Sequence, residues 1–285
     1  MRTEQQMWQL IFGYAEKNDK IRVVTLEGSR TNVNIPKDDF QDYDITFLVT
    51  DMEAFTRDDA WLSVFGNRIM MQKPEDMELF PAEEPGFSYL MLFDDDIKID
   101  LTLLPVERLE EYLTWDKLVR VLLDKDGRIQ NPPVPTDEDY RLRKPTERMV
   151  DDCCNEFWNV TTYVVKGLCR HEILFAIDHM HEIMRKELLR MMGYWVGTEH
   201  GFTFSVGKNS KFLDHYVPAA WWQRLMQTYR MDSYEHMWEA LLTCMALFRD
   251  VSKQVTQRLD YAYPPYDAAI SAYVERHKPE SLCQS

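Results

Sequence analysis

Three short segments in the first half of the chain carry residue types that could perform phosphoryl-transfer chemistry. Leu26-Glu27-Gly28-Ser29-Arg30 is a β-like run ending in a tight Gly-Ser turn that leads into a helix. Asp42-Tyr43-Asp44-Ile45 places two carboxylates one residue apart at a strand edge, and Ile97-Lys98-Ile99-Asp100-Leu101 sets one carboxylate in an amphipathic strand. Residues two apart in a strand point the same way, so Asp42 and Asp44 project together. Asp100 is then placed to join them from a neighbouring strand, either as a third metal ligand or as the base for an attacking hydroxyl. Three carboxylates converging on one point repel one another, and a divalent cation relieves that repulsion. Hard oxygen donors beside a triphosphate suit Mg²⁺. Two such ions roughly 3.5 to 4 Å apart would orient an attacking hydroxyl and stabilise the leaving oxygen. Gly28 would let the backbone approach a triphosphate, with Ser29 and adjacent N–H groups donating to its oxygens and Arg30 expected beside them as a nucleotide-binding residue. Each segment alone is commonplace: Gly-Ser is usually a turn, and Asp-x-Asp is usually a solvated strand end. Their order is not, with Gly-Ser after a β run, Asp-x-Asp after a spacer of twelve residues, and a third acid in a later strand.

The elements that must position these residues follow from periodicity. Residues 4–17 form an apolar stripe at helical spacing, 22–26 and 43–49 are β-rich, 58–65 is a short helix, and 68–72 is a weaker strand. A hairpin joins 87–93 to 97–104 through Asp94-Asp95-Asp96, a turn expected to be solvated, and 119–123 adds a strand. Ile97, Ile99, Leu101 and Leu103 are expected to face the core. At Asn131-Pro132-Pro133-Val134-Pro135 prolines stop both helix and strand. The pattern beyond, capped by Thr146, is helical over 147–165, 170–192, 219–229, 234–260 and 266–277. The expected fold is therefore α/β over 1–135, a mixed sheet flanked by helices, followed by an all-α bundle over 136–285.

Charge is uneven. Residues 1–140 carry 15 Lys and Arg against 30 Asp and Glu, whereas the remainder carries 18 of each, so the net charge of −15 lies entirely in the first half. Such a field repels nucleic acid and anionic lipid and attracts polycations. Neither a nucleic acid nor a membrane is an expected partner, and no obligate protein partner is implied. The five cysteines, Cys153, Cys154, Cys169, Cys244 and Cys283, show no disulfide or zinc spacing and are expected as free thiols. With no long apolar run and no export-type opening, the protein is expected to be cytoplasmic.

The three-part signature resembles the DNA polymerase beta-like nucleotidyltransferase superfamily. The resemblance narrows over residues 1–278. The opening, Gly28-Ser29-Arg30, Asp42-Tyr43-Asp44, Phe157-Trp158-Asn159-Val160, Lys166-Gly167 and Ser205-Val206-Gly207-Lys208 through Lys211-Phe212-Leu213 are similar to the aminoglycoside 6-adenylyltransferases. That resemblance implies ATP as the donor of AMP, release of pyrophosphate, and a cationic acceptor, streptomycin, modified at the 6-hydroxyl of its streptidine ring, which confers resistance. It leaves open another small hydroxyl acceptor such as a lincosamide, a protein acceptor, or a nucleotide-binding partner protein without turnover.

A transferase needs a wall for its acceptor, and the helix after Thr146 is the candidate. Asp151, Asn155, Asn159 and Thr162 recur at helical spacing, with Asp152, Glu156, Tyr163 and Lys166 alongside. A solvated face explains such a stripe equally well. As a site, Asp151, Asp152, Glu156 and Asn159 would meet guanidinium groups in bidentate pairs, while Lys166 and Lys208 would meet the triphosphate. Tyr163 offers a stacking ring; Trp158 is preferred as core. Gly201 through Gly207-Lys208-Asn209 departs from a P-loop in spacing and in its final residue. His171, His179 and His181 are expected to be structural, and Met180, Met184, Met191 and Met192 to be bundle core.

Overall fold

The computed structural model describes residues 1–82 and 85–279. Two compact units divide the chain, one spanning Met1–Asp139 and the other beginning at Tyr140. The division falls past the prolines because the residues after them stay tied to the first unit. Thr136 N–H donates to the Lys117 carbonyl at 3.0 Å, Asn34 reaches Asp137 at 2.9 Å, and Lys117 pairs with Glu138 and Asp139 at 3.2 and 3.1 Å. Proline stops an element but does not release a segment that has hydrogen-bond partners.

The first unit is a six-stranded sheet in the order β3-β4-β5-β2-β1-β6. Its strands are β1 (Ile21–Glu27), β2 (Tyr43–Val49), β3 (Arg68–Gln72), β4 (Phe87–Phe93), β5 (Lys98–Pro105) and β6 (Val119–Asp124). β2 and β5 run parallel at the centre, and every other pairing is antiparallel. Central position explains the near-continuous apolar run of β2, since both of its faces are covered. Against one face lies α1 (Glu4–Lys17), through Met7, Ile11 and Ala15; against the other lies α3 (Leu109–Tyr112), packing with Val23, Leu48, Leu104 and Val119. Thr3 and Gln6 cap α1 reciprocally. The short helix expected over 58–65 forms as a 3₁₀ stretch, Ala60–Phe65, closed by Gly66 at φ 118°, and a separate short helix, α2 (Glu53–Thr56), precedes it. The buried Phe55, Leu62 and Phe65, with Trp61 beside them, set that path.

The Asp94–Asp96 turn forms as expected, but Asp95 is only partly solvated. Its carboxylate accepts from Arg2 Nε, Nη2 and backbone N–H at 2.8, 3.0 and 2.9 Å. Those donors hold the carboxyl down from 3.8 to about 2, against the opposing effect of burial. A carboxyl depressed on folding stabilises the fold above its unfolded value, and that contribution fades as pH falls from about 4 towards 2. Asp95→Asn should therefore cost about 1 kcal/mol at pH 7, allowing for solvent screening of a pair that still meets water. Near pH 2 the variant and the parent should melt together; an equal deficit at both pH values would assign the loss to packing instead of charge.

In the second unit, α4 (Glu147–Cys169) is capped by Thr146, whose hydroxyl accepts from Met149 N–H at 3.2 Å. The helix expected over 170–192 is instead α5 (Ile173–His179), a π-helical turn at Met180–Met184, and α6 (Arg185–His200), ended by Gly201 in the left-handed region. α7 (Ala219–Gln227), α8 (Tyr234–Leu259) and α9 (Tyr266–His277) complete the bundle. Met180, Met184, Met191 and Met192 are fully buried in its core, as is Trp158. His171 packs edge-on against Tyr234, His179 Nδ1 meets the Phe175 carbonyl at 2.8 Å, and His181 faces Arg185. Cys153, Cys154, Cys169 and Cys244 are free, while Cys283 and the tail from Glu280 to Ser285 lie outside the described residues. No helix among the described residues is long and apolar enough to cross a membrane.

Candidate active site

Parallel pairing of β2 with β5 sets Asp44 directly opposite Asp100. One sheet face then reads Asp44-Thr46-Leu48 on β2 and Lys98-Asp100-Thr102-Leu104 on β5, polar at one end and apolar at the other. The opposite alternation buries Ile97, Ile99, Leu101 and Leu103, as their spacing predicts. Asp42 lies just before β2. Arg30 fixes it there by donating from Nε to the Asp42 carbonyl at 2.9 Å and from Nη2 to the Gln41 carbonyl at 2.7 Å, with its guanidinium 3.7 Å from the Tyr43 ring centre. Arg30 thus braces the backbone that carries Asp42. Gln41 returns the contact, donating to the Ser29 carbonyl at 3.2 Å.

Gly28 occupies φ 64°, in the left-handed region, and opens a single 3₁₀ turn through Thr31 in place of a longer helix. A Cβ on Gly28 would stand 2.5 Å from Asp44 Oδ2. The missing side chain makes room for a carboxylate of the neighbouring strand. Thr31 Oγ1, donating to the Gly28 carbonyl at 2.8 Å, and Leu118, accepting from Gly28 N–H at 3.0 Å, secure the turn.

Lys98 links the remaining acids, with Nζ 2.9 Å from Asp42 and 2.7 Å from Asp100. The ammonium stands where the accumulated negative charge draws a cation. Asp44 feels that charge most: burial first, then Asp100, Asp42 and Glu27, push its carboxyl up to about 7. Burial also raises Asp100, opposed by Lys98. Asp100 Oδ1 is buried and has no hydrogen-bond partner, an acceptor left over in a site built of acceptors. The three carboxylates lie together but do not close on one point, and among the described residues no three acid, histidine or cysteine groups are arranged as a ready ligand set. The donor chemistry and the orphaned oxygen fit a hard divalent cation, which would compete with the Lys98 ammonium.

Glu27 is a site residue that motif reading passes over. It accepts from Thr46 Oγ1 and from Tyr112 OH, each at 2.5 Å, and Tyr112 also meets Thr25. Its signal was position, immediately before Gly-Ser and two residues beyond Thr25, on the face that carries Asp44. Lys98 was visible as a same-face neighbour of Asp100, but not as the bridge between two acids. A cavity of about 420 Å³ opens beside Asp42 and Lys98, lined also by Arg30, Lys37 and the exposed Phe40.

The expected helical-unit residues are spread along α4. Asp152, Asn155, Glu156, Asn159, Tyr163 and Lys166 are exposed in one series, while Val150, Phe157, Val160 and Val164 are buried. Asp151 is partly enclosed and accepts from Tyr266 OH at 3.0 Å; Asp152 pairs with Arg148 at 2.9 Å. Lys166 lies 4.8 Å from the Tyr163 ring centre. Lys208 stands exposed in a short 3₁₀ turn after Gly207.

Residues 1–277 match the family model described as streptomycin adenylyltransferase. An aminoglycoside 6-adenylyltransferase of Campylobacter jejuni is 66% identical over 278 residues, covering 98% of this chain and 96% of that protein. Proteins of the same description from Bacillus subtilis (strain 168) and Staphylococcus aureus are 54% and 45% identical, covering 96% and 97% of this chain and 98% and 99% of theirs. The paired carboxylates of β2 and β5, the Gly-Ser turn beside them, and identity sustained along almost the full chain agree: the protein is a nucleotidyltransferase and belongs to the streptomycin adenylyltransferase family.

Proposed function

We propose that the protein transfers AMP from ATP to the 6-hydroxyl of streptomycin and thereby inactivates the antibiotic. The observation that carries this reading is the in-register placement of Asp44 and Asp100 beside the Gly28 turn, with an unsatisfied Asp100 oxygen. The naming of the relatives as aminoglycoside 6-adenylyltransferases supports the acceptor class. In the transfer the acceptor oxygen bonds to the α-phosphorus, the bond from that phosphorus to the bridging oxygen breaks, pyrophosphate leaves, and the hydroxyl proton passes to a base. Asp42, Asp44 and Asp100 would hold the divalent metal, Mg²⁺ by donor chemistry and in two ions. Bound there, metal neutralises the triphosphate and polarises the reacting oxygens.

The chain's own groups do the positioning. Arg30 keeps Asp42 in place, Gly28 admits Asp44 to the turn, and Glu27 with Thr46 and Tyr112 makes the polar floor. Ser29, Arg30, Lys166 and Lys208 are assigned to the nucleotide phosphates, and Gly28, whose N–H is held by the Leu118 carbonyl, to the turn that presents Ser29 and Arg30. Asp152, Glu156 and Asn159 on the open face of α4, with Asp151 partly enclosed behind them, are assigned to the guanidinium groups of the acceptor. Exposed charge pairs contribute modestly, so Asp152→Asn and Glu156→Gln should each raise the acceptor KM roughly threefold. The ATP KM should not move. An unchanged acceptor KM in the double variant, at low and at high salt, would remove these acids from the acceptor site.

The test of the activity itself is pyrophosphate release with ATP, Mg²⁺ and a panel of aminoglycosides, with the product identified by its mass gain and its modified hydroxyl located by NMR. Turnover of another aminoglycoside without streptomycin would replace the acceptor assignment. Turnover of none would overturn the reading.

A further inference from the structure

Lys98 opens β5 on the face that carries Asp100, and its ammonium is divided between two acids. Nζ stands 2.9 Å from Asp42 Oδ2 and 2.7 Å from Asp100 Oδ2. That arrangement is incomplete in two ways. One positive charge faces two carboxylates, with Asp44 directly opposite Asp100 adding a third carboxyl. Asp100 Oδ1, moreover, is buried and has no hydrogen-bond partner. An ammonium offers three donors and one unit of charge, whereas a hard divalent cation carries twice the charge and gathers about six oxygens. Lysine therefore satisfies these acids only in part. It also has somewhere to go. The side chains of Lys98, Asp42 and Asp100 are 38%, 37% and 24% exposed, and a lysine ammonium rides on a flexible four-carbon stem. Lys98 borders the cavity of about 420 Å³ beside Asp42, and the exposed carboxylates of Asp38, Asp39 and Asp96 stand on the wall of that same cavity. An ammonium that swings into it meets water and negative charge, so its departure costs little.

We infer that Lys98 is an exchangeable counter-ion: without metal its ammonium neutralises Asp42 and Asp100, and a divalent cation entering between those acids moves it into the adjoining cavity. The inference rests on the reading of Asp42 and Asp100 as metal ligands and not on the identity of the acceptor. Its consequence is a sign. A lysine that braced the acids for metal would, when removed, loosen them and weaken metal binding. A lysine that occupies the metal's place would, when removed, strengthen metal binding. The metal-free protein would then lose stability, because Asp42 and Asp100 are left together without a counter-charge.

The full-length protein, free of nucleotide, is titrated with Mn²⁺, which carboxylates take as they take Mg²⁺, and free Mn²⁺ is read by electron paramagnetic resonance. Lys98→Met should bind Mn²⁺ at least about threefold more tightly than the parent. Its melting temperature should lie below the parent's in chelator and draw level with it or pass it at saturating Mn²⁺. Lys98→Arg, which keeps the charge, should bind no more tightly than the parent. Lys37→Met removes a cation from the cavity wall outside the pair of acids and should change the affinity by less than about twofold, which separates exchange from the general effect of net charge. Equal or weaker binding by Lys98→Met would overturn the exchange and leave the metal assignment standing. An equal gain in Lys37→Met would overturn it in favour of net charge. If neither the parent nor Lys98→Met binds Mn²⁺, the exchange and the metal assignment fail together. Should Lys98→Met not fold, crystals of the parent with Mn²⁺, the ion placed by its anomalous scattering, decide the question. Lys98 Nζ should then lie more than about 4 Å from both carboxylates, and an ion pair retained beside bound metal would sink the inference.

Discussion

Asp44→Asn is expected to lower kcat by about a hundredfold or more, equivalent to roughly 3 kcal/mol of transition-state stabilisation, while the melting temperature of the metal-free protein stays level or rises. Asp44 is buried beside Asp100, Asp42 and Glu27, and its carboxyl is pushed up to about 7. Those neighbours make the charged form unfavourable in the fold, so an amide of the same shape relieves repulsion. Function holds the charges together at the expense of stability. Transfer, by contrast, needs the carboxylate to hold metal and to keep the reacting atoms aligned. Asp42→Asn should follow the same pattern with less gain in stability, because Asp42 already pairs with Lys98 at 2.9 Å. Thermal melts in chelator paired with pyrophosphate release decide the matter. A folded Asp44→Asn protein that turns over near the parental rate would remove the carboxylates from the chemistry.

Gly28→Ala should produce a comparable loss of activity through a residue with no functional group. The added methyl would meet Asp44 Oδ2 at 2.5 Å, and the φ of 64° is one that side-chain-bearing residues rarely adopt. The backbone penalty is roughly 1 to 2 kcal/mol, which a protein of this size shows as about 2 to 4 °C per kcal/mol in melting temperature. Displacement of Asp44 is the larger consequence for catalysis. Gly13→Ala is the control: its Cβ would meet nothing within 4 Å, and alanine in a helix should stabilise slightly. If Gly28→Ala loses stability yet keeps kcat, the turn serves folding alone and the close packing of Asp44 against it is incidental to transfer.

Lys98 shows why part of the site needed coordinates. Alternation along one strand depends only on sequence spacing, so the burial of Ile97, Ile99, Leu101 and Leu103, and with it the facing of Asp100, was legible from residue types. The same holds for the Thr146 cap, the Gly28-Ser29 turn between β1 and β2, and the mixture of sheet and helix. Which strand lies beside β5 is a matter of sheet order, decided by packing of both faces, and no local pattern encodes it. Only that order sets Asp44 against Asp100 and brings Lys98, 56 residues from Asp42 in sequence, across to it.

Long-range electrostatics and steric exclusion account for the rest. Spacing offers Gly28 for the close approach of a triphosphate, whereas the approach of Asp44, too close for a Cβ on Gly28, shows only in the fold. Glu27 had no motif, since its role comes from Tyr112 and Thr46 reaching it from other elements. Arg185, too, looks like one basic residue among many on a helical repeat. Its 1% exposure and its hydrogen bonds to Thr228, 43 residues away in sequence, come from packing against the segment that follows α7. Local spacing therefore determined the elements, their faces and the acidic chemistry, whereas the pairing of distant charges and the burial of Arg185 were decided by tertiary packing, because Coulomb and contact energies depend on distance through space and not along the chain.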